Sequence, residues 1–212
     1  MPKLFIATFL TQQDQQKLAV LPGENEHLES LWDRKLRWVR PVNMHITWLF
    51  LGAVDQKLVS KVGSTLHKII YERSKIDDDR GEVVMDFAKL STYPNSRKTR
   101  VIVIENHPIP KKVESLARAI RTGLIPFYTE QTEKEHNQEF RPHITLIRLD
   151  RRVETPAEKL AFHRVEMRID PSAINSLDEL LPIQLAVENV CLVESDDKGG
   201  DYKILDTVSL RD

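Results

Sequence analysis

The sequence predicts an α+β fold: two pseudo-symmetric antiparallel-sheet lobes with outer helices around a central groove. Short apolar runs of strand type are interspersed with amphipathic segments of helical period. Two of these runs carry the same triplet, His45-Ile46-Thr47 and His143-Ile144-Thr145, each within a similar order of strands and helices. We therefore expect residues 1–212 to form a single domain of two intertwined lobes, with one His-x-Thr motif in each.

In the first half of the chain, turn and cap residues delimit the elements. We predict strands over Lys3–Leu10, Arg37–Val39 and His45–Leu51, and helices over Gln12–Leu21 and Asp55–Arg73. Pro22-Gly23 should end the first helix, and Gly52 should end the third strand. Asp55 can cap the second helix, whose inner face is expected to include Leu58, Val59, Val62, Leu66, Ile69 and Ile70.

The second half has more strands than helices. We predict strands over Glu82–Leu90, Arg100–Glu105, Pro142–Arg148, Ile183–Val187, Val190–Glu194 and Ile204–Ser209, with one helix over Pro110–Arg121. Gly123 suits the C-terminal cap of that helix. We expect a polar loop at Ser91–Thr99, an exposed acidic loop at Thr129–Glu139, a helix start at Thr155-Pro156 and a turn at Gly199-Gly200.

Composition excludes several classes of protein. No apolar run approaches the roughly 20 residues that cross a bilayer, and residues 1–8 resemble a first strand more than a signal peptide. Cys191, the single cysteine, excludes an internal disulfide framework and fits a buried inert thiol in a reducing cytoplasm. The net charge of -1 does not suit a protein that grips long nucleic acids, so basic residues that contact RNA should be concentrated locally.

The paired triplets predict an acid–base site. Because strand side chains alternate between faces, His45 and Thr47 should share a face, as should His143 and Thr145, whereas Ile46, Trp48 and Phe50 should point the other way. If the two strands are central and adjacent, the four polar side chains meet in one groove. Histidine has an unperturbed pKa near 6.5 and can donate or accept a proton, and a threonine hydroxyl can bind a phosphate oxygen.

The residues around both triplets resemble the two-histidine phosphoesterase superfamily, and within it the RNA 2',3'-cyclic phosphodiesterase family, also called 2'-5' RNA ligase. The resemblance covers most of the chain: Lys3–Ala7, Arg37–Gly52, Phe140–Arg148, and Leu192–Ser195 followed by Gly200–Tyr202. Trp48 and Arg141 depart from the usual motif, and the acidic segment is longer than usual. These departures leave the two histidines and two threonines unchanged.

The resemblance implies a role for each motif residue. His45 would protonate the leaving 3'-oxygen as general acid, and His143 would activate water as general base. Thr47, Thr145 and Arg148 would bind the phosphate. It also implies RNA ends with a 2',3'-cyclic phosphate as substrate, a 2'-phosphate product, reverse 2'-5' ligation, no metal or other cofactor, no membrane partner, and a monomer.

Other functions remain open from the sequence. Related families cleave 2'-5' oligoadenylates or small cyclic phosphates, and a non-catalytic RNA-binding module or a metal-dependent hydrolase with both histidines as ligands would use the same residues. Arg100 is as compatible with a surface role as with the groove. Tyr93 is a candidate for base stacking or local packing, and His163 with Glu166 has helical metal-pair spacing without an apparent third ligand.

Overall fold

Two antiparallel sheets organise the part of the chain that the computed structural model describes, which comprises residues 1–32, 35–76, 83–96, 99–130, 132–133, 139–149, 169–195 and 202–210. The strands are β1 (Lys3–Phe9), β2 (Leu36–Trp38), β3 (His45–Ala53), β4 (Val84–Tyr93), β5 (Val101–Asn106), β6 (His143–Leu149), β7 (Ile183–Ala186), β8 (Asn189–Ser195) and β9 (Tyr202–Ser209). The α+β, two-lobe architecture predicted from the sequence is confirmed.

The first sheet has the order β3-β1-β8-β9. Strand β1 is paired on both sides, by β3 and β8, and its residues Leu4–Ala7 are buried on both faces. A central strand buried in this way appears in sequence as a continuous apolar run. Strand β3 is first in the strand order and is an edge strand of its sheet. The first histidine thus lies at the border between the lobes.

The second sheet has the order β2-β6-β5-β4-β7. Strand β6 lies between β2 and β5, so the second histidine strand is one position in from an edge. The condition that both histidine strands be central and adjacent is not met within one sheet, because β6 is an interior strand and β3 is an edge strand of the other sheet. Strands β3 and β6 contact each other instead where the two sheets meet.

The helices cover the sheets. They are α1 (Gln12–Leu18), α2 (Leu21–Glu24), α3 (Leu28–Leu31), α4 (Val59–Ile76), α5 (Lys111–Gly123) and α6 (Leu177–Leu180). The predicted first helix ends early, at Leu18, and Pro22-Gly23 lies inside α2 rather than ending a helix. Proline is tolerated there because the first turn of a helix makes no backbone bond to its nitrogen.

The two long helices pack against each other and against the core. Asp55 accepts a hydrogen bond from the backbone of Lys57, as predicted, but a 3₁₀ turn precedes α4 and leaves Leu58 exposed. Gly123 is the last residue of α5 rather than its cap. A Cβ at Gly123 would lie 2.4 Å from Cδ1 of Ile69, so glycine permits close approach of the two helices.

Several predicted boundaries differ from the structure. Strand β4 extends to Tyr93, because pairing with β5 continues into the segment predicted as a loop. The acidic segment is not wholly exposed, since the buried hydroxyl of Thr132 donates a hydrogen bond to the Leu51 carbonyl. The predicted Thr155-Pro156 helix start and Gly199-Gly200 turn lie outside the described residues, as do residues 131 and 134–138 of the acidic segment.

Candidate active site

The two His-x-Thr motifs begin strands β3 and β6. In each motif the histidine and threonine side chains are half-buried, and the isoleucine between them is fully buried. His45 and Thr47 therefore share one face of β3, and His143 and Thr145 share one face of β6. Strands β3 and β6 contact each other, and the charge of His143 lowers the pKa of His45, so the two histidines lie near each other.

A one-residue bulge follows each motif at the same place. Thr47 and Leu49 pair with consecutive residues of β1, which leaves Trp48 as the extra residue, and Leu146 is the corresponding extra residue of β6. Both strands consequently show two adjacent buried residues, Trp48-Leu49 and Leu146-Ile147. Such a bulge interrupts the alternation of side chains between the two faces.

The bulges decide where Phe50 and Arg148 lie. Phe50 pairs with Phe5 and Arg148 pairs with Val101, and cross-strand partners share a face of the sheet. Phe50 thus lies on the His45 face, so the prediction that it points away is wrong. Arg148 lies on the His143 face, although strict alternation would place it on the opposite one.

Both imidazoles are held in the same way. Nδ1 of His45 lies 2.6 Å from the carbonyl oxygen of Asn43, and Nδ1 of His143 lies 2.8 Å from the carbonyl oxygen of Arg141. A carbonyl oxygen only accepts hydrogen bonds, so each Nδ1 carries the proton and donates it. In the neutral ring Nε2 is then the basic nitrogen, and it is the atom available for proton transfer in both lobes.

Burial and nearby positive charge favour the neutral form of both rings. The pKa of His45 falls from 6.5 to about 4, chiefly through desolvation by burial, which outweighs the opposing effect of the backbone bond to Asn43; Arg148 and His143 lower it further by smaller amounts. The pKa of His143 is also lowered, again mainly by burial. Arg148 acts on both rings, which places its charge near the two histidines together.

Glu105 is a feature that the sequence reasoning missed. It pairs directly with His143 across β5 and β6, and its charge raises the pKa of His143 against the larger effect of burial. The hydroxyls of Ser91 and Tyr93 both donate hydrogen bonds to its carboxylate. Burial alone would raise the pKa of Glu105, but these bonds hold it below its usual value. Only the register of the strands reveals this arrangement.

Tyr93 is the last residue of β4, and its hydroxyl is one of the two donors to Glu105. Its ring meets the His143 ring edge-on, with centroids 5.0 Å apart at 82°. Burial and the bond to Glu105 raise the pKa of its hydroxyl, which therefore stays protonated as a donor. Of the two alternatives considered for Tyr93, local packing describes this environment best.

His45 has an apolar surround instead. Its ring centroid lies 5.1 Å from that of Phe5, 5.4 Å from that of Phe9 and 5.1 Å from that of Tyr202. Cys191 belongs to the same cluster, and burial raises the pKa of its thiol. The two histidines are thus matched in backbone support but differ in their neighbours: aromatic rings for His45, and a carboxylate with its two donors for His143.

A groove of about 820 Å³ leads away from Thr47 and His143. Phe50, Tyr93, Phe140 and three arginines, Arg100, Arg121 and Arg141, contribute to its lining. The ring of Phe140 stacks on that of Trp48 at 5.6 Å, which joins the segment before β6 to β3. Of the two alternatives considered for Arg100, the structure therefore favours the groove.

The remaining candidates lie elsewhere. His67, on α4, lies 3.2 Å from Asp206 at the surface. His163 and Glu166 lie outside the described residues. Among the residues that are described, no group of three or more histidine, cysteine, aspartate or glutamate side chains is arranged to hold a metal ion. None of the described helices is both long and apolar enough to cross a membrane.

Comparison with known sequences finds similarity to phosphoesterases over part of the chain. A model of the family described as LigT like Phosphoesterase matches residues 24–103, which include His45 and Thr47. The RNA 2',3'-cyclic phosphodiesterase of Bacillus subtilis (strain 168) is 31% identical over 112 residues, which are 53% of this chain and 55% of that protein. The enzyme of the same description from Aeropyrum pernix is 27% identical over 114 residues, 54% of this chain and 57% of that protein. The chain thus spans little more than half the length of the curated relatives it matches.

Comparison with solved structures covers nearly the whole chain. The crystal structure of TT0787 from Thermus thermophilus aligns with a TM-score of 0.67 at 22% identity, over 99% of this chain and 98% of that one. Escherichia coli LigT complexed with 3'-AMP aligns with a TM-score of 0.62 at 19% identity, over 100% of this chain and 99% of that one. At these identities the likeness shows the fold. The sequence matches add that residues 24–103 are similar to the LigT-like phosphoesterases.

Proposed function

We propose that this protein hydrolyses 2',3'-cyclic phosphate ends of RNA to 2'-phosphomonoesters, with His45 and His143 as a metal-independent acid–base pair. The observation that carries the proposal is the matched support of the two imidazoles. Each ring donates Nδ1–H to a backbone carbonyl and keeps Nε2 for proton transfer. Two such nitrogens on facing strands suit a reaction that needs one proton removed and one delivered.

The reaction requires an in-line displacement at phosphorus. Nε2 of His143 takes a proton from water as the water oxygen bonds to phosphorus. The bond from phosphorus to the ribose 3'-oxygen breaks, and His45 gives that oxygen a proton. The product is a 2'-phosphate beside a 3'-hydroxyl, and a proton transfer between the histidines through solvent restores the starting state.

His45 must carry a proton in order to act as the acid. Its pKa of about 4 in the free protein means that it is neutral near pH 7. A bound phosphodiester brings a negative charge into a partly dehydrated site, which favours the protonated ring. We therefore expect substrate binding to raise the pKa of His45 and to favour the protonated form that acts as the acid. The division of roles rests on the family resemblance, since the charge of Glu105 favours the protonated form of His143, the residue assigned as the base.

The other motif residues would bind the phosphate. The Thr47 and Thr145 hydroxyls can donate to the non-bridging oxygens, and the Arg148 guanidinium can offset the charge that develops on them. Arg148 is supported in this role by its placement on the His143 face and by its effect on the pKa of both histidines. With a 5'-hydroxyl in place of water, the same steps would form a 2'-5' linkage.

The proposal includes the setting in which the enzyme works. We expect a cytoplasmic monomer that acts on RNA ends or short oligonucleotides and has no membrane partner. RNA 2',3'-cyclic phosphodiesterase is the activity of the two curated relatives, and 3'-AMP is bound by E. coli LigT, which supports a nucleotide ligand.

The test is hydrolysis of a short RNA with a 2',3'-cyclic phosphate end, in excess EDTA. We expect wild-type protein to form the 2'-phosphate, and His45→Ala and His143→Ala each to lose about 10²-fold or more in kcat. His67→Ala, a histidine outside the groove, is the control and should keep wild-type activity. Absence of turnover by wild type, or equal activity of all variants, would refute the proposal. A parallel panel of 2'-5' oligoadenylates and cyclic mononucleotides distinguishes a change of substrate from a binding role.

A further inference from the structure

The groove beside the histidines concentrates positive charge that the chain as a whole lacks. The chain carries 31 lysines and arginines against 32 aspartates and glutamates. Three arginines, Arg100, Arg121 and Arg141, nevertheless line this one groove, and we call them the arginine arm. Glu139, which accepts a hydrogen bond from Arg141 at 3.1 Å, is the acidic residue that lines the same groove.

The arm comes from three separate elements. Arg100 immediately precedes β5, Arg121 lies in the last turn of α5, and Arg141 lies two residues before His143. Arginines from different parts of the sequence converge on one groove only through the fold. The groove also includes Thr47 and His143, one residue from each motif, so it adjoins the candidate catalytic site.

The lining contains aromatic rings as well as charge. Phe50 and Phe140 contribute rings to the same groove, and Phe50 is there because of the bulge at Trp48. Basic side chains that follow a backbone, combined with rings against which bases can lie, are the features by which proteins hold single-stranded nucleic acid without reading its sequence. A cyclic mononucleotide has a single phosphate, which must lie at the catalytic pair, so it has no further phosphate for the arginine arm to bind.

We propose that the arginine arm binds backbone phosphates of the nucleotides that precede the reacting end, and so makes a single-stranded oligoribonucleotide the preferred substrate over a cyclic mononucleotide. This inference rests on the proposed cyclic phosphodiesterase activity. The groove volume of about 820 Å³ lies within the range of sites that enclose ligands larger than a single small group.

The experiment compares kcat/KM for 2',3'-cyclic AMP and for a six-nucleotide RNA ending in a 2',3'-cyclic phosphate, from 50 to 500 mM salt. We expect wild type to prefer the hexanucleotide by roughly tenfold or more at low salt. Each phosphate contact in a single strand contributes a slope of about -0.7 in log affinity against log salt, so the preference should decline as salt rises.

The variants are the single substitutions Arg100→Gln and Arg121→Gln and the double variant. We expect the double variant to lose most of the preference and most of its salt dependence, with each single variant between. Arg118→Gln is the matched control, because it removes the same charge from the exposed side of the same helix, outside the groove. It should keep the wild-type preference and slope.

The outcomes separate the two proposals. If wild type hydrolyses both substrates with equal kcat/KM, or if the double variant keeps the preference, the arginine arm does not bind the RNA backbone and the cyclic phosphodiesterase proposal still stands. If wild type hydrolyses neither substrate, both proposals fail together.

Discussion

Phe50 and Arg148 occupy equivalent positions in the two lobes, each five residues after the motif histidine, and an identical bulge brings each onto the histidine face. The equivalence ends with their chemistry. Phe50 has an aromatic ring and Arg148 has a guanidinium, although the two residues occupy equivalent positions in the two lobes. The two halves of the site are therefore alike in backbone and distinct in function, since one provides apolar surface and the other provides charge.

Arg148 should matter for both binding and protonation. We expect Arg148→Gln to lower kcat/KM about 10²-fold, because a charge on the developing oxyanion is lost. The same change should raise the pKa of both His45 and His143, since Arg148 lowers both. Nuclear magnetic resonance titration of the ring protons measures the second effect. Unchanged pKa values would show that Arg148 does not act on the pair.

The assignment of acid and base can be tested with a substrate whose 3'-bridging oxygen is replaced by sulfur. A thiolate leaves without being protonated, so it has little need of a general acid. We expect His45→Ala to recover most of its lost activity on this substrate, whereas His143→Ala should stay impaired. Recovery by His143→Ala instead would reverse the roles of the two residues.

Glu105 should act on His143 and not on His45. Its carboxylate raises the pKa of His143, so Glu105→Gln is expected to lower that pKa further while the titration of His45 stays as in wild type. Ring-proton titrations of the free protein measure both values in one experiment. Ser91→Ala, which removes one donor to Glu105, should cause a smaller change in the pKa of His143. A titration of His143 that is the same in wild type and Glu105→Gln would contradict this arrangement.

The half-buried His45 should make the fold sensitive to acid. Its pKa is about 4 in the folded protein and 6.5 in an unfolded chain, so between these values the unfolded state binds more protons. The protonation of His45 therefore leaves the free energy of unfolding unchanged above pH 6.5 and lowers it as the pH falls toward 4. A shift of this size corresponds to on the order of 3 kcal/mol.

Urea unfolding of wild type and His45→Gln at pH 7 and pH 4.5 checks this expectation. The variant should lose less free energy of unfolding on acidification than wild type does. His67→Gln serves as the control and should follow wild type. Parallel losses in wild type and His45→Gln would mean that His45 is not buried in the neutral form.

Local pattern was sufficient to locate the motifs but not to orient everything beside them. Thr47 and Thr145 are two residues from their histidines, and a period of two predicts their shared face without knowledge of the sheet. Phe50 and Arg148 lie beyond the bulges, where that period no longer holds. Bulges depend on how neighbouring strands pair, which no property of the histidine strands alone specifies.

The sequence by itself determined the α+β class, the two histidine strands and the absence of a disulfide framework, because each depends on residue type and short-range periodicity. Tertiary structure alone decided that the histidines meet at the border of two sheets, that Glu105 stands opposite His143, and that three distant arginines share one groove. These features depend on strand order, register and the packing of sheets, which join residues far apart in the chain and leave no local trace in the sequence.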